Sequence, residues 1–215
     1  MMEIKQIGYK QAVDFLLPRH YSGRKPPVTW AFGWYDNGRL MAVCTFGKPA
    51  SNTLCDGVCG KSNSKNVYEL NRLCREDDLA QPLSQFVSAC LRILKQYNVI
   101  VVSYSDTGMM HHGYIYQACN FMYTGITKQR TEKWTEGNKH SRHYSNDEQG
   151  EFRKIRTAKH RYVYFCTSDK KIKRAWAQEL RYPVCPYPKG DNNADYQLGY
   201  VMPVQLVRAS GKENA

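Results

Sequence analysis

A serine, an aspartate, two histidines and a tyrosine follow one short apolar run in Val99–Phe121. The run itself, Val99–Val102, is entirely β-branched, which is typical of a strand covered on both faces. Ser103–Gly108 then turns polar, with Asp106 and Gly108 as turn formers. Ligands in mixed α/β sheets collect where strands end and helices begin. The stretch therefore predicts a functional site built from a buried strand, a polar turn and a short helix.

The charge balance indicates a polyanionic partner. The 215 residues carry 31 Lys and Arg against 19 Asp and Glu, a net charge of +12. Nucleic acid is the first candidate, because phosphate neutralisation by Lys and Arg dominates such affinities. A basic protein without such a partner is the alternative. The 16 tyrosines suit base stacking as well as a core.

The eight cysteines are scattered, and several lie inside apolar runs. The N-terminus lacks an apolar signal sequence and no run is long enough to span a membrane, so we expect reduced core thiols in a cytoplasm. Cys55 and Cys59 are close, but no second pair has zinc-ligand spacing. His111 and His112 could relay protons or bind a metal, although such a pair is more often on the surface. We therefore predict no metal site.

Apolar periodicity and turn residues predict the order of the elements. The strands are expected at Glu3–Gly8, Trp30–Tyr35, Leu40–Phe46, Asn66–Leu73, Val99–Val102, Phe121–Thr127 and Arg161–Thr167. Helices are expected at Tyr9–Leu17, Leu83–Tyr97, after Gly108, and at Lys170–Leu180. The Gly- and Ser-rich stretch Lys48–Ser64 is expected to be a long loop, and Tyr182–Gly190 a Pro-rich turn.

Two basic segments could hold a polyanion. Arg19–Pro27 is either a solvated connection or the lining of an anionic groove. Lys128–Arg161 has ten Lys or Arg against five acids, with aromatic residues interleaved, as phosphate contact and base stacking require. The candidate DNA-binding residues are Arg19, His20, Tyr21, Arg24, Lys25, Lys133, Trp134, Lys139, Arg142 and Tyr144.

The order of helix, hairpin, strand, helix, strand, helix, strand, strand resembles the GNAT fold of acyl-CoA-dependent N-acetyltransferases. Ile115–Phe121 resembles the family element A-x-x-L-Y-x-x-x-G-F, with Asn120 in place of the glycine. In that family the tyrosine often protonates the leaving thiolate of CoA, a role that would fall on Tyr116. A phenol can donate to a thiolate of similar basicity. The alternative is a helix tyrosine that packs on the sheet.

The GNAT cofactor loop holds pyrophosphate on backbone N–H groups at a helix N-terminus. The corresponding stretch, Asn71–Ser84, lacks the glycines and contains Glu76-Asp77-Asp78, which would repel phosphate. Arg72 and Arg75 could compensate. The resemblance therefore predicts a GNAT-like fold, while the mode of cofactor binding stays open.

A closer resemblance covers most of the chain. YELNRLCRED, LSQFVSACL, VSYSDTGMMHHGYIYQACNFMYTG and NKHSRHY are similar to the Mom family of phage DNA adenine-modification proteins. The resemblance implies an enzyme of the host cytoplasm that converts adenine in phage DNA to N6-carbamoylmethyladenine and so hides it from restriction enzymes. Double-stranded DNA would be the partner. The donor is not identified; acetyl-CoA or a related acyl donor is a candidate, although a carbamoylmethyl group is not an acetyl group.

The family's functional positions correspond here to Arg72, Ser84, Asp106 and Tyr116. Arg72 would bind the anionic donor, or else form an ion pair with Glu69 or Asp106. Asp106 would orient the adenine amine or accept a proton, or else cap the next helix. Ser84 would contribute at the helix start to donor binding and catalysis. We expect these residues to converge on one cleft with a positively charged rim.

Two other functions remain open at this point. A GNAT-type acetyltransferase would act on a protein or small amine without DNA, and a non-enzymatic protein would bind DNA without changing its mass. We predict one α/β (α+β) domain over 1–215, with a mixed central sheet flanked by helices. Residues 128–161 would be a basic insertion before the last strands and 209–215 a flexible tail. The sequence leaves the oligomeric state open.

Overall fold

The computed structural model describes residues 2–134, 151–190, 200 and 203–209. The strands are β1 (Met2–Gln6), β2 (Trp30–Asp36), β3 (Arg39–Gly47), β4 (Val67–Arg75), β5 (Val99–Asp106), β6 (Met122–Ile126), β7 (Arg130–Lys133), β8 (Phe152–Arg156), β9 (Lys159–Cys166) and β10 (Leu206–Arg208). The α-helices are α1 (Tyr9–Leu16), α2 (Asn52–Cys59), α3 (Leu83–Leu94), α4 (Tyr114–Ala118) and α5 (Lys170–Glu179). No helix in this part of the chain is long and apolar enough to cross a membrane.

A seven-stranded sheet of order β1-β2-β3-β4-β5-β9-β6 organises the structure. Its neighbours are antiparallel except β4 and β5, which are parallel and joined through α3. A second sheet has the order β10-β8-β7. The predicted mixed α/β sheet flanked by helices is confirmed, and so is the hairpin at Asp36-Asn37-Gly38.

Helices cover both faces of the large sheet. On the face that we call the front, α3 and α4 pack on a cluster that includes Phe46, Leu70, Val101 and Tyr162. On the back, α1 packs against β3 and β4, while α2 and α5 pack against β5 and β9. Because side chains alternate along a strand, even-numbered residues of β5 point to the back and odd-numbered ones to the front.

Three sequence predictions of local structure were wrong. Lys48–Ser64 contains α2 and the start of a 3₁₀ helix rather than a long loop, because Cys55, Val58 and Cys59 bury one helical face against the back of the sheet. The expected turn at Ser103 is still strand as far as Asp106. Ser103 fits inside the sheet because its hydroxyl donates to the Leu70 carbonyl oxygen.

The third wrong prediction concerns Lys128–Arg161, which is not a continuous loop. It holds β7, β8 and the beginning of β9. Residues 135–150, with the candidates Lys139, Arg142 and Tyr144, lie outside the described residues, as do residues 210–215 of the expected tail.

The parallel strands β4 and β5 separate part-way along their length. Their ladder runs from Val67 paired with Ile100 to Leu70 paired with Ser103 and then stops, although β4 continues to Arg75 and β5 to Asp106. The separation begins at a bulge, since Phe46 of β3 pairs with Leu70 whereas Thr45 pairs with Arg72. The extra residue is Asn71. A bulge bends its strand and increases the local twist, so a gap opens between the two strands.

Asn71 is fixed in the bulge by its own side chain. Its amide oxygen accepts from the Thr45 hydroxyl at 2.7 Å, and its Nδ2 donates to the Pro27 carbonyl oxygen at 2.7 Å. The second bond ties the 18–29 loop to the gap. Thr45 is fully buried, and its hydroxyl is satisfied by the half-exposed Asn71 at the point where the ladder ends.

Gly113, just before α4, provides a test of how tightly the front face is packed. Its φ is +78°, and a Cβ there would lie 2.4 Å from the fully buried ring of Tyr162. Gly125 has a φ of +90° with open space around it. We expect Gly125→Ala to cost about 1–2 kcal/mol, the left-handed penalty alone. Gly113→Ala should cost about 1–3 kcal/mol more because of overpacking, as measured by urea unfolding. Equal losses would contradict this packing.

Candidate functional site

Arg72 lies in β4 immediately after the bulge and points to the back of the sheet, opposite Thr45. Its Nη1 donates to the Asn71 carbonyl oxygen at 2.6 Å, and its Nη2 lies 3.5 Å from the Arg24 carbonyl oxygen. Its Nε is buried and has no hydrogen-bond partner among the described residues. Burial lowers the pKa of Arg72, although Tyr21 and Glu69 oppose the shift. An arginine with a spare buried donor beside a gap can bind an anionic or carbonyl group.

Asp106 ends β5 on the same face, and its side chain is only 5% exposed. Lys159 of β9 lies directly opposite it, with Nζ 2.5 Å from Oδ2. The hydroxyl of Thr157 and the backbone N–H of Gly108 donate to Oδ1. Asp106 therefore caps the turn at Thr107–Met109 and also forms an ion pair, so both of its structural roles are realised.

Opposing effects act on the pKa of Asp106. Burial alone would raise it, but the Lys159 charge and the hydrogen bonds from Lys159, Thr157 and Gly108 together lower the pKa below its ordinary value. The carboxylate is thus stabilised in its ionised form and is a weak base. Its geometry suits orienting a donor group better than removing a proton.

His20 lies in the loop after α1 and is brought to this site. Its Nδ1 accepts from the Ser22 backbone N–H at 3.1 Å, so the neutral ring carries its proton on Nε2. Burial, with the nearby charges of Arg72, Lys159 and His111, lowers the pKa of His20 to about 3. The ring stacks on Tyr21 with centroids 4.4 Å apart. His20 is therefore a neutral hydrogen-bond donor.

Tyr21 joins this loop to the turn after β5. Its ring meets that of His111 edge-on at 6.1 Å. The 18–29 loop and the 107–113 turn thus form two sides of a rim around the back of the gap. The rim carries aromatic rings, those of His20, Tyr21 and His111, beside the cationic Arg72 and Lys159.

The sequence predicts Glu69 only as a possible ion-pair partner of Arg72. The structure also makes it a candidate proton acceptor. It lies on β4 one residue before the end of the ladder, on the back face with Val67. Burial raises the pKa of Glu69, and the charges of Arg72 and Lys159 only partly offset the shift. Of the two carboxyl groups here, Glu69 is therefore the better proton acceptor.

Tyr116 lies on the front face, within α4. Its ring packs between Phe121 and Tyr162, with centroids 5.5 and 5.3 Å away. Burial raises its pKa, and a hydrogen bond with the Ser103 side chain partly offsets this. Since Ser103 forms the last rung of the ladder, the phenol reaches the gap from the front.

Ser84 is also on the front, in the first turn of α3. It lines a shallow groove with Ser88, Arg92 and Ala118, and its carbonyl oxygen accepts from the Cys119 thiol at 3.4 Å. The groove lies between α3 and α4, so Ser84 does not meet Arg72 or Asp106. The expected single cleft is thus replaced by two surfaces that share the gap: Arg72 and Asp106 behind it, Tyr116 and Ser84 in front.

The turn before α3 has a structural role. Arg75 Nη1 donates to the Leu79 carbonyl oxygen at 3.0 Å, and Leu79 is buried in the front core. Glu76 forms an ion pair with Arg19 at 2.7 Å, and Asp78 one with Arg39 at 2.6 Å. Arg75 and Arg19 are therefore occupied within the protein. The turn presents acids where the GNAT loop has glycines.

The other predicted DNA-binding residues are spread over the surface. Arg24 contributes its carbonyl oxygen to Arg72, and Lys25 is exposed in the same loop. Lys133 is in β7, and Trp134 follows it directly. No group of three potential metal ligands occurs among the residues that the structure describes.

Comparison with known proteins identifies the family. A model of the Mom protein family matches residues 1–189. The chain belongs to the Mom family. The resemblance predicted from the sequence is thereby confirmed for nearly the whole chain. No curated protein matches the sequence.

Several solved acetyltransferases are similar in structure to this Mom-family chain. The ribosomal-protein-S18-alanine N-acetyltransferase from Escherichia coli has a TM-score of 0.49 at 10% identity, over 80% of this chain and 97% of that one. An N-acetyltransferase from Staphylococcus aureus Mu50 has a TM-score of 0.48 at 11% identity, over 78% of this chain and 99% of that one. A GNAT family acetyltransferase from Elizabethkingia anophelis, with acetyl-CoA bound, has a TM-score of 0.45 at 10% identity, over 76% of this chain and 97% of that one.

The Asp106–Lys159 pair leads to a stability prediction. Lys159→Met should lower the free energy of unfolding at pH 7 by about 2–3 kcal/mol, less than for a fully buried pair because Lys159 is 32% exposed. In the wild type the contribution of the pair is present above the ordinary Asp pKa and is lost as pH falls through the lowered one. In the variant Asp106 takes up a proton more readily.

The difference in the free energy of unfolding between wild type and variant should therefore be smaller at about pH 4, near the ordinary pKa of aspartate, than at pH 7. Urea unfolding at both pH values measures it. Lys173→Met, on the exposed side of α5, is the control and should have little effect. A pH-independent difference would contradict the ion-pair account.

His20 should remain neutral in the folded protein down to about pH 4, because its pKa is lowered to about 3. The unfolded chain takes up that proton near pH 6.5, so His20 makes the folded state less stable as pH falls through this window. NMR titration of its imidazole signals, with His20→Gln to assign them, measures this. A His20 titration midpoint near 6.5 would contradict the buried, cation-flanked site.

Proposed function

We propose that this chain is a phage DNA-modification transferase that converts adenine in double-stranded DNA to N6-carbamoylmethyladenine and protects that DNA from restriction in the host cytoplasm. Membership of the Mom family supports the class of reaction. The observation that carries the proposal is the gap between β4 and β5. Behind it lie Arg72, with a spare Nε–H, and the stacked rings of His20 and Tyr21, and in front of it lies Tyr116.

The back of the gap suits the adenine. Its exocyclic amine is conjugated with the ring and is a poor nucleophile, so the base must leave the stack and be held against an electrophile. Tyr21 and His111 offer ring faces and edges to a displaced base. His20 offers one neutral N–H to a ring nitrogen without adding charge. The adenine is therefore proposed to enter from this side.

The front of the gap suits the donor. A donor carrying the carbamoylmethyl group would lie between α3 and α4, near Ser84, and pass its reactive carbon through the gap. Arg72 would bind the carbonyl of that group with its spare Nε–H. In the transfer, the amine nitrogen bonds to the methylene carbon while the bond from that carbon to the leaving group breaks. Tyr116 is placed to donate a proton to the leaving group.

The proton released by the amine must be accepted on the back face. Glu69 is proposed to accept it, because its pKa is raised whereas that of Asp106 is lowered. Asp106 then has a positioning role: it holds Lys159 and the turn that carries His111. The step then balances: Glu69 takes the proton from the amine nitrogen, and Tyr116 gives a proton to the leaving group.

An acyl-CoA donor fits the site in part. A thioester would supply a thiolate leaving group that Tyr116 could protonate, but it would transfer an acyl carbon to the amine rather than the methylene carbon that the proposed product needs. The turn before α3 does not fit pyrophosphate, since Leu79 is buried there and Glu76 and Asp78 stand where backbone N–H groups would be needed. No step is therefore assigned to CoA.

Coexpression with a plasmid tests the function. We expect digestion to nucleosides, followed by mass spectrometry, to show deoxyadenosine with an added carbamoylmethyl group. Glu69→Gln should lower the modified fraction at least 100-fold and Tyr116→Phe at least 10-fold, in line with the usual size of acid–base effects. Arg72→Lys keeps the positive charge but loses the planar guanidinium group, so this variant should also lose adenine modification.

Tyr164→Phe serves as the matched control for Tyr116→Phe, because Tyr164 is also a partly buried tyrosine of the front core but lies on β9 opposite Val101, before the ladder ends. It should retain modification. Unmodified adenine from soluble wild-type protein would overturn the proposal. Turnover of acetyl-CoA on an amine without DNA would instead favour an acetyltransferase.

A further inference from the structure

The second sheet, β10-β8-β7, stands apart from the core. None of its twelve residues belongs to a buried cluster, and none is itself buried. A small sheet without a fully buried residue in its strands is at best marginally stable in water. Burial of apolar side chains in a core therefore does not explain why these residues form a sheet.

Charge dominates this sheet. Six of its twelve residues are cationic and one, Glu132, is acidic. The cationic residues are Arg130, Lys133, Arg153, Lys154, Arg156 and Arg208. Two rungs place like charges directly opposite each other, Arg130 with Arg156 and Lys133 with Arg153. Such pairs destabilise a sheet in isolation, and a bound polyanion would remove the cost.

The register assigns the charges to two faces, because residues opposite each other in a ladder point the same way. We call one of them the arginine face; its cations are Arg130, Lys154, Arg156 and Arg208. The other face has Lys133 and Arg153 beside Thr131, Ile155 and Val207. The arginine face thus has cations from all three strands.

Acidic residues on the arginine face do not neutralise it. Arg156 is 3.7 Å from Glu132, and Arg208 is 3.3 Å from Glu151. The two arginines are 56% and 80% exposed in these pairs. Exposed ion pairs contribute little, so Arg208 can exchange Glu151, itself 64% exposed, for a phosphate at small cost, whereas Glu132 beside Arg156 is only 17% exposed.

The third strand comes from beyond the family match. That match ends at residue 189, whereas β10 is Leu206–Arg208. Val207 pairs with Arg153, and flanking backbone bonds run from Ile155 to Gln205 and from Ala209 to Glu151. The C-terminal part of this chain thus completes a surface to which the family-matched region contributes two strands.

The arginine face begins next to the candidate site. Arg156 ends β8, and the next residue, Thr157, donates its hydroxyl to Asp106. The backbone N–H and hydroxyl of Thr107 both donate to the Ala158 carbonyl oxygen. A strand of nucleic acid that lies along the arginine face is therefore held close to the turn that carries His111.

We propose that the arginine face binds the phosphate backbone of duplex DNA, with Arg208 of β10 as part of the contact. This rests on the proposed function in taking DNA as the substrate, and it adds the surface that holds the duplex. The contacts go to phosphates, so binding is independent of sequence and falls steeply with salt.

The test measures binding of the full chain to a labelled 20-base-pair duplex by fluorescence anisotropy, between 50 and 200 mM salt. The triple variant Arg130→Gln, Arg156→Gln, Arg208→Gln should lower the slope of log K against log salt by about 2–3, close to 0.9 per lost phosphate contact. Its affinity should fall at least 10-fold at 100 mM salt. Val207→Pro, which removes a β10 ladder bond, should weaken binding in the same direction.

A matched control removes the same charge elsewhere. Lys171→Gln, Lys173→Gln, Arg174→Gln alters exposed residues of α5, which follows the end of β9 far from Lys159. Its affinity should stay within two-fold of wild type. Equal losses in both triple variants would overturn the proposal, and so would a larger loss in Lys133→Gln, Arg153→Gln on the other face. Equal affinity for polyglutamate would instead indicate an acidic protein.

Nucleoside mass spectrometry separates this proposal from the proposed function. If the wild-type chain binds duplex through the arginine face but modifies no adenine, the binding surface stands and the reaction fails. If adenine is modified and the arginine-face variants bind and modify as wild type does, the reaction stands and the binding surface is wrong.

Discussion

The separation of β4 from β5 is the constraint on which the rest of the structure depends. A parallel pair buried in a sheet would normally continue to the end of both strands, because each unpaired backbone group costs free energy. Here the bulge at Asn71, held by Thr45 and Pro27, ends the ladder at Leu70 and Ser103. Beyond that point β4 and β5 continue without pairing with each other, to Arg75 and Asp106.

The chemical groups on the two sides of the gap differ. Behind it, burial and neighbouring cations keep His20 neutral and leave Arg72 with a spare donor. In front of it, Tyr116 is buried among rings, and its hydroxyl forms a hydrogen bond with the Ser103 side chain. The proposed function uses this difference: the adenine is proposed to approach from the back and the donor from the front, so that they meet between the strands.

Elements with strong periodicity were predictable from the sequence. The apolar spacing along α3 and the β-branched start of β5 are signals that neighbouring residues determine, and the Asn37-Gly38 turn specifies the hairpin. The helix α2 was missed because its buried residues are Cys55, Val58 and Cys59 within a Gly- and Ser-rich stretch. That composition has no signal of its own for a helix.

Contacts that depend on register could not be predicted. Lys159 lies opposite Asp106 only because β9 pairs with β5 in one register, and His20 reaches Arg72 only because the 18–29 loop folds over the bulge. Strand β10 pairs with a partner about fifty residues earlier in the chain. The family resemblance pointed to Arg72, Asp106 and Tyr116, but it did not show that Tyr116 and Arg72 lie on opposite faces of the sheet.

Photo-crosslinking tests most directly whether the two reactants approach from opposite faces. A duplex carrying 8-azidoadenine at the target position would be irradiated with the full chain, and the crosslinked peptide identified by mass spectrometry. Crosslinks to His20, Tyr21 or His111, on the back of the gap, are the predicted result. Crosslinks confined to the groove between α3 and α4, at Ser84 or Ser88, would contradict the account.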